Sequence, residues 1–143
     1  MAVHLERVSE IAASQQEVWA VLTDLGGWKS WNPILLEPRG DLVVGSVVRM
    51  KLKLGRVSMP MKQKIIEVTA PSVLRWESRF GPTWMFLVTR TFRIEPAGEG
   101  KVRLEQSEVG TGLLARLIFV FTGPPTVRGY TAQAEALAAR LGH

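Results

Sequence analysis

The chain has 143 residues, of which 46% are hydrophobic and 22% charged, and its formal net charge is +5 at pH 7. This length suits one domain spanning residues 1–143, and the composition excludes a disordered segment. Without cysteine there are no disulfides, thiolate metal sites or cysteine nucleophile, and the two histidines leave no imidazole metal cluster or interior Ser-His-Asp triad. We therefore expect no cofactor and no metal.

The sequence also bears on location. No purely apolar run is longer than five residues, the length of Leu117–Phe121, which is far shorter than the ~20 residues that a bilayer-crossing helix needs. The N-terminus lacks the basic-then-apolar layout of a secretory signal. We expect a cytoplasmic protein without a membrane span.

The N-terminal third predicts one strand followed by two short helices. Val3–Ala12 mixes apolar and charged residues in the manner of a strand with one exposed face. Ser14 and Glu17 have the spacing of a capping box, which predicts a helix that runs to about Asp24. A second short turn is predicted at Trp28–Trp31.

After Pro38 the apolar residues recur with a period of two, which predicts an antiparallel meander of about six strands. The pattern becomes helical after Gly112, is interrupted at Gly123–Pro125, and resumes on one apolar stripe that reaches Leu141. The order of elements indicates an α+β fold. The meander includes Val48–Leu54, Met59–Ile65, Val73–Phe80, Trp84–Glu95 and Lys101–Val109.

The last hairpin has a register that can be deduced from its charges. Placing Ala97 opposite Lys101 across the Gly98–Gly100 loop pairs opposite charges on one face and apolar residues on the other. The same register puts Arg90 opposite Glu108 on the apolar face. The other pairs are Glu95 with Arg103, Arg93 with Glu105, Ile94 with Leu104 and Phe92 with Gln106.

Two interpretations of the Arg90–Glu108 pair follow. At a wetted sheet edge the pair contributes little. If it is enclosed, desolvation costs several kcal/mol per ion, and the arginine is suited to anchor a carboxylate or carbonyl of a ligand.

A series of short motifs runs through nearly the whole chain: Ser14-x-x-Glu17-Val18-Trp19, Leu22-Thr23-Asp24, Trp28-x-x-Trp31-Asn32-Pro33, Pro71-x-x-Leu74-x-Trp76, Phe92-x-Ile94-Glu95-Pro96, Gly100-x-Val102-x-Leu104, Glu108 and Gly112-Leu113-Leu114. Their order and spacing resemble the START-like superfamily, also called SRPBCC, and within it the polyketide cyclase/dehydrase and lipid-transport branch.

This resemblance implies a helix-grip fold, in which a curved antiparallel sheet of about six to seven strands wraps a C-terminal helix around a hydrophobic cavity. Two short helices follow the first strand. Members of the family bind lipids, sterols, hormones or polyketides there, and some are cyclases or dehydratases. The chain departs from the family at Gly123–Pro125 and by carrying Arg90 and Thr91 where several relatives have a histidine. Acid–base chemistry at that position is therefore not transferred.

A cavity of ~300 Å³ would cost ~7 kcal/mol if dry, so a ligand, water or flexible methionines should fill it. We predict that the chain binds a small hydrophobic molecule of lipid, polyketide or aromatic type. The alternative is a polyketide cyclase/dehydratase-type enzyme in the same cavity, with Glu108, Arg90, Ser78 or Tyr130 as reactive groups. Plain core packing is the simpler interpretation of each apolar residue. The predicted ligand-binding residues are Arg90, Glu108, Trp76, Trp84, Phe86, Met61, Met50, Leu117 and Phe121.

Three further features each have two interpretations. Trp28 and Trp31 form either a lid or a structural plug. The apolar segment Leu113–Phe121 belongs to the core or supports a homodimer. A basic stretch is either a solvated surface or a docking site for RNA, an acidic protein or anionic lipid; the absence of interleaved aromatic residues argues against nucleic acid. This stretch comprises Arg49, Lys51, Lys53, Arg56, Lys62 and Lys64, with no acid between Asp41 and Glu67.

Overall fold

A seven-stranded antiparallel sheet dominates the computed structural model, which describes residues 2–54, 56–79, 82 and 84–141, without the side chains of residues 2, 54, 119–123 and 125. The strands are β1 (Ala2–Ile11), β2 (Leu35–Arg39), β3 (Val47–Leu54), β4 (Val57–Thr69), β5 (Val73–Arg79), β6 (Leu87–Pro96) and β7 (Val102–Thr111). The helices are α1 (Gln15–Thr23), a 3-10 helix (Leu25–Ser30) and α2 (Ala115–Arg140).

The strand order in the sheet is β1-β7-β6-β5-β4-β3-β2. Because β1 pairs with β7, the last hairpin lies inside the sheet and not at its edge. The sheet curves around α2, which packs against β1, β7 and β3. The predicted α+β helix-grip architecture is confirmed.

The predicted register of the β6–β7 hairpin is also confirmed. Glu95 lies opposite Arg103, Ile94 opposite Leu104, and Arg90 opposite Glu108. The interpretation of the Arg90–Glu108 pair as a wetted edge contact is wrong, since the Arg90 side chain is only 4% exposed.

The helices after β1 begin as the sequence indicates. The Ser14 hydroxyl accepts from the Glu17 amide at 3.1 Å, and the Glu17 carboxylate accepts from the Ser14 amide at 3.1 Å. The 3-10 helix begins at Leu25, earlier than the predicted turn. Trp28 and Trp31 are both buried in the core, where the Trp28 indole donates to the Leu22 carbonyl at 2.8 Å, so they form a structural plug.

The predicted interruption of the C-terminal helix at Gly123–Pro125 is wrong, because α2 continues through it. Each proline removes one backbone donor and lowers helix propensity. Packing of one helix face on the sheet offsets this loss; Tyr130, Ala134 and Leu137 are buried on that face. Although α2 is long, neither it nor the other helices of the described ranges are apolar enough over sufficient length to traverse a bilayer.

Two strands differ from the prediction. β2 was not expected, because Pro38 and a register shift obscure its pattern. β6 begins at Leu87, whereas the predicted strand began at Trp84, so Trp84 lies in the preceding turn and is 64% exposed. The predicted strand end at Phe80 lies outside the described residues.

Continuity of α2 predicts the effect of removing a proline. Pro124 is exposed within the helix, so Pro124→Ala restores a donor without loss of packing. We expect the free energy of unfolding to rise by about 1–2 kcal/mol. Alanine gains helix propensity over proline, and part of this gain is lost because the unfolded chain becomes more flexible without the proline. Urea denaturation measures this. A decrease would indicate that the helix is interrupted at this point.

Candidate functional site

A pocket of about 290 Å³ lies between the inner face of the sheet and α2. We call it the inner pocket. Its size is at the low end of the range for small-molecule sites, ~300–1,000 Å³. Nine apolar and five polar residues line it: Ile34, Leu35, Leu52, Met59, Met61, Trp76, Phe86, Val88 and Ile118, with Gln63, Ser78, Arg90, Glu108 and Thr126.

Strand alternation explains which side chains reach the inner pocket. Residues two apart on a strand share one face; thus Met59, Met61 and Gln63 of β4 line the pocket, as do Val88 and Arg90 of β6.

The start of α2 is held against the turn before β6. Gly112 has φ +107°, and a Cβ at this position would lie 2.6 Å from the Met85 carbonyl oxygen. The Leu114 amide donates to that oxygen at 3.0 Å. A glycine is therefore required where the chain enters α2, and this close approach sets Ile118 beside the pocket.

The guanidinium of Arg90 is enclosed by three chain elements. Its Nη2 donates to Gln106 Oε1 at 3.0 Å and to Gln133 Oε1 at 2.7 Å. Its Cζ lies 4.8 Å from the centre of the Phe92 ring and 4.4 Å from that of Tyr130. Two amide acceptors and two aromatic faces thus fix the cation at the pocket wall.

Glu108 gives Arg90 only partial charge compensation. The closest approach, between Arg90 Nη1 and Glu108 Oε1, is 4.0 Å, longer than a hydrogen bond. Burial raises the pKa of the Glu108 carboxyl above its ordinary 4.5, and the nearby Arg90 charge and Tyr130 hydroxyl only partly oppose this. Burial also raises the pKa of Tyr130. Burial thus favours the protonated form of this carboxyl, which can donate as well as accept hydrogen bonds.

Two donors of this cluster are unsatisfied by the described protein atoms. Arg90 Nε and Gln133 Nε2 are buried without a hydrogen-bond partner there, whereas the Tyr130 hydroxyl interacts with the Glu108 carboxyl. Leaving a buried donor unpaired costs about 1–3 kcal/mol. Two such groups in one cluster indicate that a polar atom of a ligand or water completes it.

A second polar contact lies in the same pocket, where the Ser78 hydroxyl donates to Gln63 Oε1. Both residues are buried. The mainly apolar lining of the pocket therefore includes two different kinds of polar group, a cationic one at Arg90 and a neutral one at Ser78.

Five of the predicted ligand-binding residues line the inner pocket: Arg90, Glu108, Trp76, Phe86 and Met61.

Three of the other four predicted residues, Trp84, Leu117 and Met50, are not among those that line it. Trp84 is 64% exposed, because it precedes the strand that would have turned its side chain inward. Leu117 is 59% exposed. Since a helix turns about 100° per residue, the next residue, Ile118, faces the pocket in place of Leu117. Met50 is buried in the core beside the pocket. The side chain of Phe121 lies outside the described residues.

Sequence reasoning missed the two amides that hold Arg90. Gln106 was placed opposite Phe92 by the register, but nothing local marked it as a partner of the arginine two residues away on the adjacent strand. Gln133 follows Tyr130 by three residues, so it shares a helix face with it. That spacing was the available signal.

Comparisons with known proteins agree with this architecture. The sequence model of the family described as polyketide cyclase / dehydrase and lipid transport matches residues 2–142. No curated protein sequence matches the chain significantly.

Solved structures share the fold over nearly the whole chain. Norcoclaurine synthase from Thalictrum flavum, in complex with dopamine and hydroxybenzaldehyde, is 19% identical with a TM-score of 0.73, covering 99% of this chain and 87% of that one. The ZhuI aromatase/cyclase from Streptomyces sp. R1128 is 14% identical, TM-score 0.75, covering 99% and 94%. A START superfamily protein from Mycobacterium smegmatis is 16% identical, TM-score 0.73, covering 97% of each. At these identities the likeness establishes the fold.

The raised pKa of Glu108 predicts a pH-dependent contribution to stability. A carboxyl whose folded pKa lies above its unfolded value stabilises the fold below about pH 4.5, and this contribution is lost as pH rises through the folded pKa. The free energy of unfolding of the wild type relative to Glu108→Gln should therefore fall as pH rises above 4.5. Urea denaturation from pH 4.5 to 8 measures this difference.

The matched control is Glu99→Gln, which changes an exposed carboxyl in the β6–β7 loop. Its difference from the wild type should stay nearly constant over the same pH range. A wild-type advantage over Glu108→Gln that grows with pH would contradict the assigned direction.

Proposed function

This chain belongs to the polyketide cyclase / dehydrase and lipid transport family, and we propose that it binds a small apolar molecule bearing one hydrogen-bond acceptor in the inner pocket. The apolar body lies among the Met, Trp and Phe side chains, and its carbonyl or carboxylate approaches Arg90. The observation that carries this proposal is the enclosed guanidinium at the wall of an otherwise mainly apolar pocket.

The energetics of the pocket support an occupant. At ~24 cal/mol per Å³, a dry pocket of this size would cost ~7 kcal/mol, against a domain stability of ~5–15 kcal/mol. A ligand that fills it at concentration L stabilises the folded state by RT ln(1 + L/Kd), which rises with the logarithm of the ligand concentration once that exceeds the Kd. Met59 and Met61 provide a wall that adapts to ligand shape.

The polar cluster supports a ligand with one acceptor group. Arg90 Nε and Gln133 Nε2 are donors that the described protein atoms do not satisfy, and an acceptor group of the ligand would complete such a donor. The ring faces of Phe92 and Tyr130 lie against the guanidinium and keep it in place without a ligand, so the ligand meets a preorganised donor.

Filling the pocket should abolish binding. Val88 lines the inner pocket, so Val88→Phe should weaken binding of the neutral dye N-phenyl-1-naphthylamine about tenfold or more by occupying its space. Fluorescence titration measures the Kd, and circular dichroism confirms that the variant is folded.

The matched control is Val109→Phe, which makes the same change on the outer face of β7, opposite Thr89. It should leave the Kd unchanged. Equal dye binding by the wild type and Val88→Phe, or no dye binding at all, would refute a ligand site here.

Replacing both charges tests the acceptor. The double variant Arg90→Gln/Glu108→Gln leaves no unpaired buried charge, which a single change would. In the wild type, decanoic acid should displace the dye at lower concentration than decanol does, because only the acid carries a carboxylate. We expect this preference to be lost in the double variant while decanol binding persists. An unchanged preference would show that the cluster does not contact the ligand.

A second candidate function is catalysis of the cyclase or dehydratase type in the same pocket. The observation in its favour is that Glu108 lines the pocket and that burial raises its pKa, the direction that favours a general acid. The Tyr130 hydroxyl interacts with this carboxyl.

This candidate requires turnover of a poly-β-ketone thioester analogue, measured by loss of substrate and appearance of cyclised or dehydrated product. Removing a general acid typically lowers the rate by about 10²–10⁴-fold, and Glu108→Gln should do so here with the fold intact by circular dichroism. Unaltered turnover in Glu108→Gln would exclude that role.

A further inference from the structure

We propose that a groove on the outer face of the sheet binds a phosphate-bearing anion. This outer groove has a volume of about 650 Å³. Its lining carries five cationic side chains, Arg39, Arg49, Lys51, Lys62 and Arg79, and one carboxylate, Glu37. The uncharged lining residues are Pro60, Met50, Met61 and Ser78. The outer groove does not depend on the proposed ligand of the inner pocket, because Arg49 and Lys62 alternate along their strands with inward-facing residues and so lie on the opposite face.

Strand pairing aligns four of these cations in one row. Arg39 lies opposite Arg49, and Arg49 lies opposite Lys62. Lys64 lies opposite Glu77. Because the strands are antiparallel, moving two residues along each strand places Lys62 opposite Arg79. With neighbouring strands ~4.8 Å apart, the row spans about 14 Å over four strands.

An irregularity of β2 brings Arg39 into this row. Leu36 pairs with Lys51, whereas Arg39 pairs with Arg49, so β2 contains one extra residue between the two pairs. Without it, Pro38 would face Arg49. The extra residue is accompanied by a left-handed backbone at Glu37, with φ +52°, a strained conformation for a residue other than glycine. Such bulges re-aim side chains next to functional sites.

The row is electrostatically costly without a counterion. Like charges directly opposite each other destabilise a sheet. The ion pairs of the described residues include Lys51 with Glu37, at 3.0 Å, but none with Arg39, Arg49, Lys62 or Arg79. The groove therefore holds a net positive charge of four, which an anion of several negative charges would neutralise.

Phosphate groups fit this arrangement better than carboxylates do because each terminal phosphate carries about −1.5 to −2 charge and three acceptor oxygens. Three of the five cations are arginines, whose planar guanidinium binds the oxygens of such an anion in pairs. An anion with two or more phosphates in sequence matches an extended row, and a surface of lipid phosphates presents the same chemistry.

The test uses sodium tripolyphosphate as the free anion and vesicles of phosphatidylcholine, with or without phosphatidylglycerol, as the lipid source. Titration calorimetry and vesicle co-sedimentation are made at constant ionic strength. We expect saturable binding by the wild type that weakens about tenfold or more in Arg49→Gln/Lys62→Gln, the effect of losing one charge-assisted contact or more.

The decisive comparison is between Lys62→Gln and Lys64→Gln. The two lysines lie two residues apart on the same face of β4, but only Lys62 lines the outer groove. Lys62→Gln should weaken binding at least threefold more than Lys64→Gln does. Thermal unfolding without anion provides a second readout: Lys62→Gln should be no less stable than the wild type, since it relieves repulsion.

Each outcome bears on the proposal. If Lys62→Gln weakens tripolyphosphate binding more than Lys64→Gln does, the groove is assigned to a free anion. If this difference is found only for binding to vesicles that contain phosphatidylglycerol, the groove is assigned to lipid head groups. Equal loss in the two lysine variants, or no saturable binding in either arm, overturns the proposal. Dye binding in the inner pocket is expected to be unaffected by Lys62→Gln, so failure of one proposal is distinguishable from failure of the other.

Discussion

The burial of one guanidinium constrains much of this structure. Arg90 cannot be placed in an apolar interior unless its charge is compensated, and the protein compensates it from several directions. Gln106 comes from the neighbouring strand, Gln133 from α2, and two aromatic rings flank the cation. Glu108, directly opposite in the register, supplies a carboxylate that remains 4.0 Å away. The position of α2 over the sheet is therefore tied to the same group that faces the inner pocket.

This arrangement ties the stability of the fold to the proposed ligand site through the same residues. A short Arg–Glu contact would engage the carboxylate and one or two of the five guanidinium donors. Here the carboxyl is held at a distance, its pKa is raised by burial, and Arg90 Nε and Gln133 Nε2 lack described partners. Among the described residues the protein thus retains unsatisfied polar groups in its interior, which is unfavourable for folding alone and which the proposed ligand would satisfy.

The two faces of the sheet have opposite characters along the same strands. In β3 and β4, methionines point inward and cations point outward, because successive side chains alternate. The inward set forms a flexible apolar wall, whereas the outward set forms the row of like charges in the outer groove. A bulge in β2 changes which residue meets Arg49, so a local backbone irregularity, and not only composition, determines the charge pattern.

The sequence alone determined the local and pairwise features. The Ser14–Glu17 capping box, the alternation of β3 and β4, and the charge-matched register of β6 and β7 each depend on residues close in the chain or directly opposite in a hairpin. That register was sufficient to place Arg90 opposite Glu108 and on the apolar face. The family motifs then indicated the fold, and the family match agrees with them.

Only the tertiary structure decided which of these residues meet. Arg90 and Gln133 are 43 positions apart, and no local pattern encodes that contact, because it depends on where α2 lies across the sheet. The continuity of α2 through Gly123–Pro125 likewise follows from packing that outweighs helix propensity. Trp84 and Leu117 are apolar side chains of the kind found in cores, but both lie at the surface. The start of β6 decides the position of Trp84 and the rotation of α2 decides that of Leu117, and distant contacts fix both. Periodicity specifies which side chains share a face; the global packing specifies what that face meets.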